Sequence, residues 1–204
     1  MGKIKRVVFL ASGRGSNFSA AVDQIRKKKL PIDILALITD NPRAKALEIA
    51  KSNQIPTEIL DFGSFPAKQN YHSELLRRLK ELGPDLIVAC GYMRILKPEV
   101  VSAFRNRIIN VHPSLLPAFP GLDAQKQALD YGVKITGCTV HFVEEGVDTG
   151  PIILQKAIEI RNQWNEKELS LAILAEEHKL LPLAVQLFCD NKLIIKERKV
   201  EILK

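Results

Sequence analysis

Short apolar runs alternate with amphipathic segments throughout the first half of the chain. Residues 7–10 form an apolar run of strand length, and residues 18–29 then place apolar side chains at helical spacing. The same alternation predicts further strands, at residues 32–38, 56–60, 86–89 and 107–111. A β-α-β-α order predicts an α/β fold in which a parallel sheet carries helices on both faces.

The pattern changes after Gly121. Residues 137–143 and 151–160 alternate like strands and are joined by a polar loop, which predicts an antiparallel extension of the sheet. A long helix over residues 165–189 and a small terminal hairpin are expected to follow. Because no linker, low-complexity tract or repeat interrupts the sequence, we expect one domain over residues 1–204.

The composition argues against several classes of protein. The 204 residues carry 30 Lys and Arg against 23 Asp and Glu, a formal net charge of +7. No apolar run approaches the ~18–20 residues of a membrane span or resembles a signal peptide, so we expect a cytoplasmic protein without a membrane partner. The three cysteines lack a C-x-x-C pair, which argues against a disulfide framework or a metal site. Scattered basic residues and few aromatic ones indicate solvated charge or a small anionic substrate before nucleic acid.

A glycine-rich segment, Ser12-Gly13-Arg14-Gly15-Ser16-Asn17, follows the first predicted strand. Consecutive N–H groups at a helix N-terminus form a concavity that binds anions, and glycine permits the necessary turn. Phe18 occupies the third glycine position of a dinucleotide fingerprint, and no P-loop Lys-Ser/Thr pair follows. Two interpretations stay open: a tight turn in which Ser16 or Asn17 caps the helix, and a site for one phosphate monoester.

A second group of polar residues follows the strand predicted at 107–111. Asn110 and His112 are two positions apart, so they project to the same side of a strand. A histidine and an amide at the carboxyl end of a strand provide a proton-handling group and an oxyanion donor. In the acidic loop that follows residue 143, Asp148 is expected to reach His112, stabilise its cation and raise its pKa. A structural histidine and a solvated loop are the alternatives.

Four segments carry a resemblance to a known family, namely residues 7–17, 91–96, 110–121 and 139–155. They resemble the phosphoribosylglycinamide formyltransferases of purine synthesis, which are small folate-dependent transformylases. The His-Pro-Ser-Leu-Leu-Pro core is shared with other 10-formyltetrahydrofolate enzymes, whereas the glycine-rich segment indicates the glycinamide ribonucleotide branch. The resemblance implies a Rossmann-like formyltransferase fold. It also implies formyl transfer from 10-formyltetrahydrofolate, a co-substrate, to the amine of phosphoribosylglycinamide, without a metal.

The resemblance implies a set of site residues as well. Asn110 and His112 would stabilise the negative charge on the formyl oxygen during direct attack by the amine, and Asp148 would assist them. The substrate would be held by Gly15, Ser16, Asn17 and Glu177. The folate would be bound by Lys68, Met93, Arg94, Ile95, Leu96, Glu144, Glu145, Gly146 and Val147. Asp123 stands where many relatives have histidine, which affects a secondary substrate contact but not the chemistry.

With these roles, residues 1–110 are expected to be the phosphate-binding half, and residues 111–204 to supply the catalytic loop, the folate loop and the C-terminal helix. A monomer or a homodimer is expected.

A methionyl-tRNA formyltransferase would add a C-terminal nucleic-acid-binding domain, and a formyltetrahydrofolate hydrolase an N-terminal regulatory domain. A non-catalytic phosphate-binding module would need the glycine-rich segment but not Asn110, His112 and Asp148. The proton could travel from the amine to N10 through Asp148 and water or through His112.

Overall fold

The computed structural model describes residues 4–203, so residues 1–3 and 204, at the ends of the predicted domain, lie outside the described residues. The chain separates into two compact units, residues 1–109 and 110–204. Their boundary falls beside the functional division predicted at residue 110. The single domain stays a prediction.

The first unit is an α/β unit of parallel strands. Its elements are β1 (Lys5–Leu10), α1 (Ser16–Lys27), β2 (Ile32–Thr39), α2 (Ala46–Ser52), β3 (Thr57–Ile59), a 3-10 turn (Phe62–Ser64), α3 (Lys68–Leu82), β4 (Leu86–Ala89) and α4 (Pro98–Ala103). The strands lie in the order β3-β2-β1-β4. Each neighbouring pair is parallel, which confirms the arrangement predicted for this half of the chain.

The core of the first unit begins at β1. Its last four residues are fully buried and apolar, as is typical of a parallel strand covered on both faces. On α1, the ring of Phe18 packs edge-to-face against the ring of Phe9 on β1, with 5.0 Å between the ring centroids. This packing fixes α1 next to the strand that precedes it. The glycine-rich segment therefore lies at the carboxyl end of β1, where ligands of parallel α/β sheets bind.

The second unit combines antiparallel strands with a long helix. Its elements are the end of β5 (Ile108–His112), which crosses the boundary, α5 (Ala124–Tyr131), β6 (Ile135–Phe142), β7 (Ile152–Glu159), α6 (Glu166–Cys189), β8 (Leu193–Lys196) and β9 (Lys199–Ile202). The pairs β6–β7 and β8–β9 are antiparallel, and this confirms the predicted C-terminal strands. Helix α6 packs against β6 and β7, where Leu169 and Ile173 meet Cys138 in a buried cluster.

The predicted strands and long helices are confirmed, with shifts of a few residues at their ends. The sequence analysis missed α4 and α5. Each of these short helices buries only two residues of its own, which are Val100 and Val101 on α4 and Ala124 and Ala128 on α5. Two buried side chains leave no apolar stripe long enough to reveal a helical period.

Two further observations concern the cysteines and the helices. Cys90, Cys138 and Cys189 are all buried, and none of them forms a disulfide. Among residues 4–203, no helix combines the length and the apolar character that crossing a membrane requires.

Gly137 provides a test of the pairing between β6 and β7. A Cβ atom on Gly137 would lie 1.9 Å from the backbone oxygen of Lys156 on the paired strand. Since a backbone atom cannot move aside without breaking the pairing, Gly137→Ala should lower the free energy of unfolding by roughly 1–3 kcal/mol. Gly13→Ala is the control, because a Cβ atom there meets nothing within 4 Å. Urea unfolding measures both variants, and a Gly137→Ala protein as stable as wild type would contradict the prediction.

Candidate active site

Asn110 and His112 project from the carboxyl end of β5, in the second unit. His112 is buried, with 4% of its surface exposed, and both of its ring nitrogens face oxygen atoms. Its Nδ1 lies 3.2 Å from Oδ2 of Asp148, and its Nε2 lies 2.8 Å from the carbonyl oxygen of Phe119. Only the imidazolium can donate to both oxygens at once.

Asp148 lies on the loop between β6 and β7 and has a left-handed backbone, with φ of 53°. Its Oδ2 accepts a hydrogen bond of 2.9 Å from the backbone N–H of Gly121. Its Oδ1 lies 3.5 Å from Nδ2 of Asn110. The structure therefore brings together the three side chains for which the sequence predicted a catalytic role.

A fourth polar side chain, His141 on β6, completes this cluster and was missed in the sequence. Its Nε2 lies 3.3 Å from Nδ2 of Asn110 and 3.5 Å from Oδ1 of Asp148. Its Nδ1 lies 2.8 Å from the carbonyl oxygen of Phe142. The available signal was a histidine between the apolar Val140 and Phe142, shortly before the acidic loop that begins at Glu144. We define the polar cluster as Asn110, His112, His141 and Asp148.

The ionisation of the polar cluster differs from the sequence-based expectation. Burial lowers the pKa of His112 below its ordinary value, and the Asp148 charge and the Phe119 carbonyl offset only part of that fall. Asp148 therefore raises the pKa of His112, as expected, but burial outweighs this contribution, so the expectation of a protonated His112 is wrong. Burial alone would raise the pKa of Asp148, but hydrogen bonds from His141 and Gly121, together with the nearby His112, bring it below the ordinary value.

A buried network holds the loop between His112 and Phe119. The hydroxyl of Thr139 donates to the carbonyl of Ser114 at 2.7 Å and accepts from the N–H of Leu116 at 3.0 Å. The side-chain amide of Gln155 donates to the Leu116 carbonyl and to the Thr139 hydroxyl, both at 2.9 Å. Because Thr139 and Gln155 lie on the paired strands β6 and β7, the sheet itself sets the position of the Phe119 carbonyl that faces His112.

In the first unit, the glycine-rich segment is held by backbone contacts. Gly15 is the N-cap of α1, with φ of 74°, and no side chain caps the helix, so the cap predicted at Ser16 or Asn17 is wrong. A Cβ atom on Gly15 would lie 2.7 Å from Cβ and 2.8 Å from Cα of Ala46. Gly15 is thus required by close packing as well as by its left-handed backbone. Gly13 has open space around it.

The segment that follows β4 carries four of the residues predicted to bind folate. Met93 and Ile95 are exposed by 62% and 66%, whereas Leu96 is buried. The N–H of Met93 donates to the hydroxyl of Ser12 at 2.8 Å. Arg94 is half-exposed and forms an ion pair with Asp40. Exposed apolar side chains on a fixed backbone can pack against a flat ring.

The remaining predicted residues are distributed over both units. Lys68 is exposed and begins α3 in the first unit. In the second unit, the loop after β6 presents a half-buried Glu144 and exposed Glu145, Gly146 and Val147. Glu177 is buried on α6, and Asp123 is the left-handed N-cap of α5. Among the described residues, no group of three or more His, Cys, Asp or Glu side chains could hold a metal ion.

Comparisons with known proteins agree on one family. The model of the family described as "Formyl transferase" matches residues 5–185. The chain is 40% identical to the phosphoribosylglycinamide formyltransferase of Bacillus subtilis, over 90% of this chain and 94% of that protein. It is also 42% identical to a trifunctional purine biosynthetic protein of Drosophila melanogaster, over 94% of this chain but only 14% of that protein.

A solved structure extends the likeness to the fold. The glycinamide ribonucleotide transformylase 1 of Symbiobacterium toebii superimposes with a TM-score of 0.96 at 43% identity. The superposition covers 100% of this chain and 96% of that one. The chain therefore belongs to the formyl transferase family, within its group of phosphoribosylglycinamide formyltransferases.

Proposed function

We propose that this chain transfers the formyl group of 10-formyltetrahydrofolate to the amine of phosphoribosylglycinamide, a reaction of purine biosynthesis. The observation that carries the proposal is the partly buried contact of Asn110, His112 and Asp148 at the end of β5. When an amine attacks a formyl carbon, an amide can stabilise the oxyanion, an imidazole can transfer the proton, and a carboxylate can stabilise the imidazolium. The family of the chain supports the same reaction.

The negative charge of this reaction develops on the formyl oxygen as the amine attacks. Asn110 donates a hydrogen bond to that oxygen, and His112 does so once its imidazole has accepted a proton. Without substrate, Nδ2 of Asn110 makes contacts of 3.3 and 3.5 Å with His141 and Asp148, which are long and therefore weak. Its N–H groups can exchange these contacts for a shorter one to an oxyanion, so Asn110 binds the transition state better than the ground state.

A proton must leave the amine and reach N10 of the folate, and we assign its transfer to His112. Because burial lowers the pKa of His112, the neutral imidazole is favoured at rest and accepts the proton of the attacking amine. The resulting cation is held by Asp148 and passes a proton on to N10. Asp148 remains charged, because its own pKa is lowered and it is a poor base.

Both substrates of this reaction are anions, in agreement with the net charge of +7. In the first unit, the phosphate binds to backbone N–H groups at Gly15, Ser16 and Asn17, and the folate to Lys68 and residues 93–96. In the second unit, residues 144–147 bind the folate, and Glu177 contacts the ribonucleotide. No metal takes part.

The chain acts in the cytoplasm as a monomer or homodimer, without a nucleic-acid or membrane partner. Three buried cysteines that form no disulfide support a reducing compartment.

A competition assay tests the reaction. The purified chain is given 10-formyltetrahydrofolate with phosphoribosylglycinamide, with methionyl-tRNA or with water as the acceptor. We expect formyl transfer to the ribonucleotide alone. In that assay Asn110→Ala and His112→Ala should each lower kcat by about 10²–10³, while both KM values change little. Release of formate without the ribonucleotide would instead indicate a hydrolase.

Asp148→Asn separates the charge of this residue from its shape. The Asp148 carboxylate favours the imidazolium, so its removal should lower the pKa of His112 further below the ordinary value and reduce kcat. Titration of the His112 ring signals by NMR measures the shift. Asp130→Asn is the control, since the exposed Asp130 pairs with Lys126 on α5. An unchanged pKa of His112 in Asp148→Asn, with full turnover, would show that Asp148 is only a loop residue.

Gly13→Val tests the phosphate site without disturbing the fold. A Cβ atom at Gly13 meets nothing within 4 Å, so valine adds bulk beside the glycine-rich segment without a clash at its Cβ. The affinity for the ribonucleotide should fall about tenfold or more, and the affinity for folate should stay near that of wild type. Calorimetry with each ligand measures both. Equal losses for the two ligands would place the phosphate elsewhere. Gly15→Val is unsuitable, because its side chain would collide with Ala46.

A further inference from the structure

A buried carboxylate in the first unit takes no part in the chemistry described above. Asp40 directly follows β2 and has 2% of its surface exposed. Its Oδ2 accepts a hydrogen bond of 2.5 Å from Nε of Arg94. Its Oδ1 is buried and has no hydrogen-bond partner among the described residues. Because a buried carboxylate is costly unless it is paired, Arg94 is the group that compensates the charge of Asp40.

A group of aromatic residues also restrains Arg94. Its guanidinium carbon lies 4.0 Å from the ring centroid of Phe62, which is within the range of a cation–π contact. The Phe62 ring packs edge-to-face on Tyr71, with 5.0 Å between the centroids. The hydroxyl of Tyr71 is hydrogen-bonded to that of Tyr92, two residues before Arg94. The Arg94 side chain and the backbone that carries it are therefore fixed at several points.

The part of Arg94 that remains available is its outer edge. Among the described residues, Asp40 is its one hydrogen-bonding partner, and the bond uses Nε. The Nη1 and Nη2 groups keep their donors, and the side chain is 36% exposed. Because the guanidinium is planar and its Nε is fixed by Asp40, its Nη1 and Nη2 donors point in a fixed direction. Donors in a fixed direction are suited to binding an anion such as a carboxylate.

We infer that Asp40 is a positioning residue for folate binding, acting through Arg94. It orients the guanidinium, and with it residues 93–96, before the anionic folate arrives. The ordering of Arg94 then costs little at the moment of binding. This inference rests on the proposed function, which assigns residues 93–96 to the folate. Asp40 is therefore expected to affect the binding of folate and not that of the ribonucleotide, because the phosphate of the ribonucleotide is assigned to the glycine-rich segment.

Asp40→Asn tests this role, since it keeps the size of the side chain and removes its charge. The KM for 10-formyltetrahydrofolate should rise about tenfold, as expected for a charge-assisted hydrogen bond. The KM for the ribonucleotide should stay within about twofold, and kcat should change far less than the folate KM. Should the Asn variant fail to fold, as judged by circular dichroism, Asp40→Ser is the second variant.

Glu58→Gln is a matched control. Glu58 and Arg78 form a second arginine–carboxylate pair in the same unit, here with two bonds of 2.6 and 2.8 Å, and no substrate contact is assigned to them. This variant should leave both KM values unchanged. A double-mutant cycle adds a second control: in an Arg94→Ala background, Asp40→Asn should have no further effect on the folate KM.

Direct binding of a non-reactive folate analogue, followed by calorimetry, separates the inference from the proposed function. If wild type transfers no formyl group but binds the analogue, and Asp40→Asn weakens that binding, the proposed function fails and the role of Asp40 stands. If wild type is active and Asp40→Asn binds the analogue normally, the inference fails alone. Equal rises in both KM values, or an effect that persists without Arg94, would also overturn it.

Discussion

The charge of Asp148 is the constraint on which the second unit depends. A carboxylate with only 13% of its side chain exposed must be compensated, and nitrogen atoms from three directions do so. The Gly121 N–H comes from the loop after β5, Asn110 and His112 come from β5 itself, and His141 comes from β6. If one of these elements moved, the charge would lose a partner. The polar cluster is thus a packing constraint, in addition to the catalytic role proposed for it.

The same constraint accounts for unusual backbone conformations nearby. Phe119 and Asp148 have φ of 52° and 53°, in a region that residues other than glycine rarely adopt. Such conformations persist only where the surrounding contacts over-determine them. Here the Thr139 hydroxyl holds the loop before Phe119, and the Gly121 N–H holds the Asp148 side chain. Both residues face His112, where a fixed geometry suits the proposed chemistry.

The sequence was informative where a pattern is local. Apolar runs predicted the strands, and the two-residue spacing of Asn110 and His112 placed both side chains at the end of β5. The sequence was uninformative about properties that burial determines, such as pKa values. The pKa of His112 falls because its surroundings exclude water, and no spacing of residues reveals that. His141 and the pair of Asp40 and Arg94 were missed for a related reason, since their partners lie far away along the chain.

Each unit holds a carboxylate with little exposure, and the basic side chain that this carboxylate contacts determines what the pair can do. In the first unit Asp40 holds an arginine, whose guanidinium stays charged at any physiological pH, so the pair is a fixed geometric element. In the second unit Asp148 holds a histidine, whose charge changes within the physiological range. A proton can therefore enter and leave the second pair without unfolding its surroundings. Exchanging the two basic side chains would remove both proposed functions, because arginine cannot release a proton and the histidine ring lacks a forked edge for an anion.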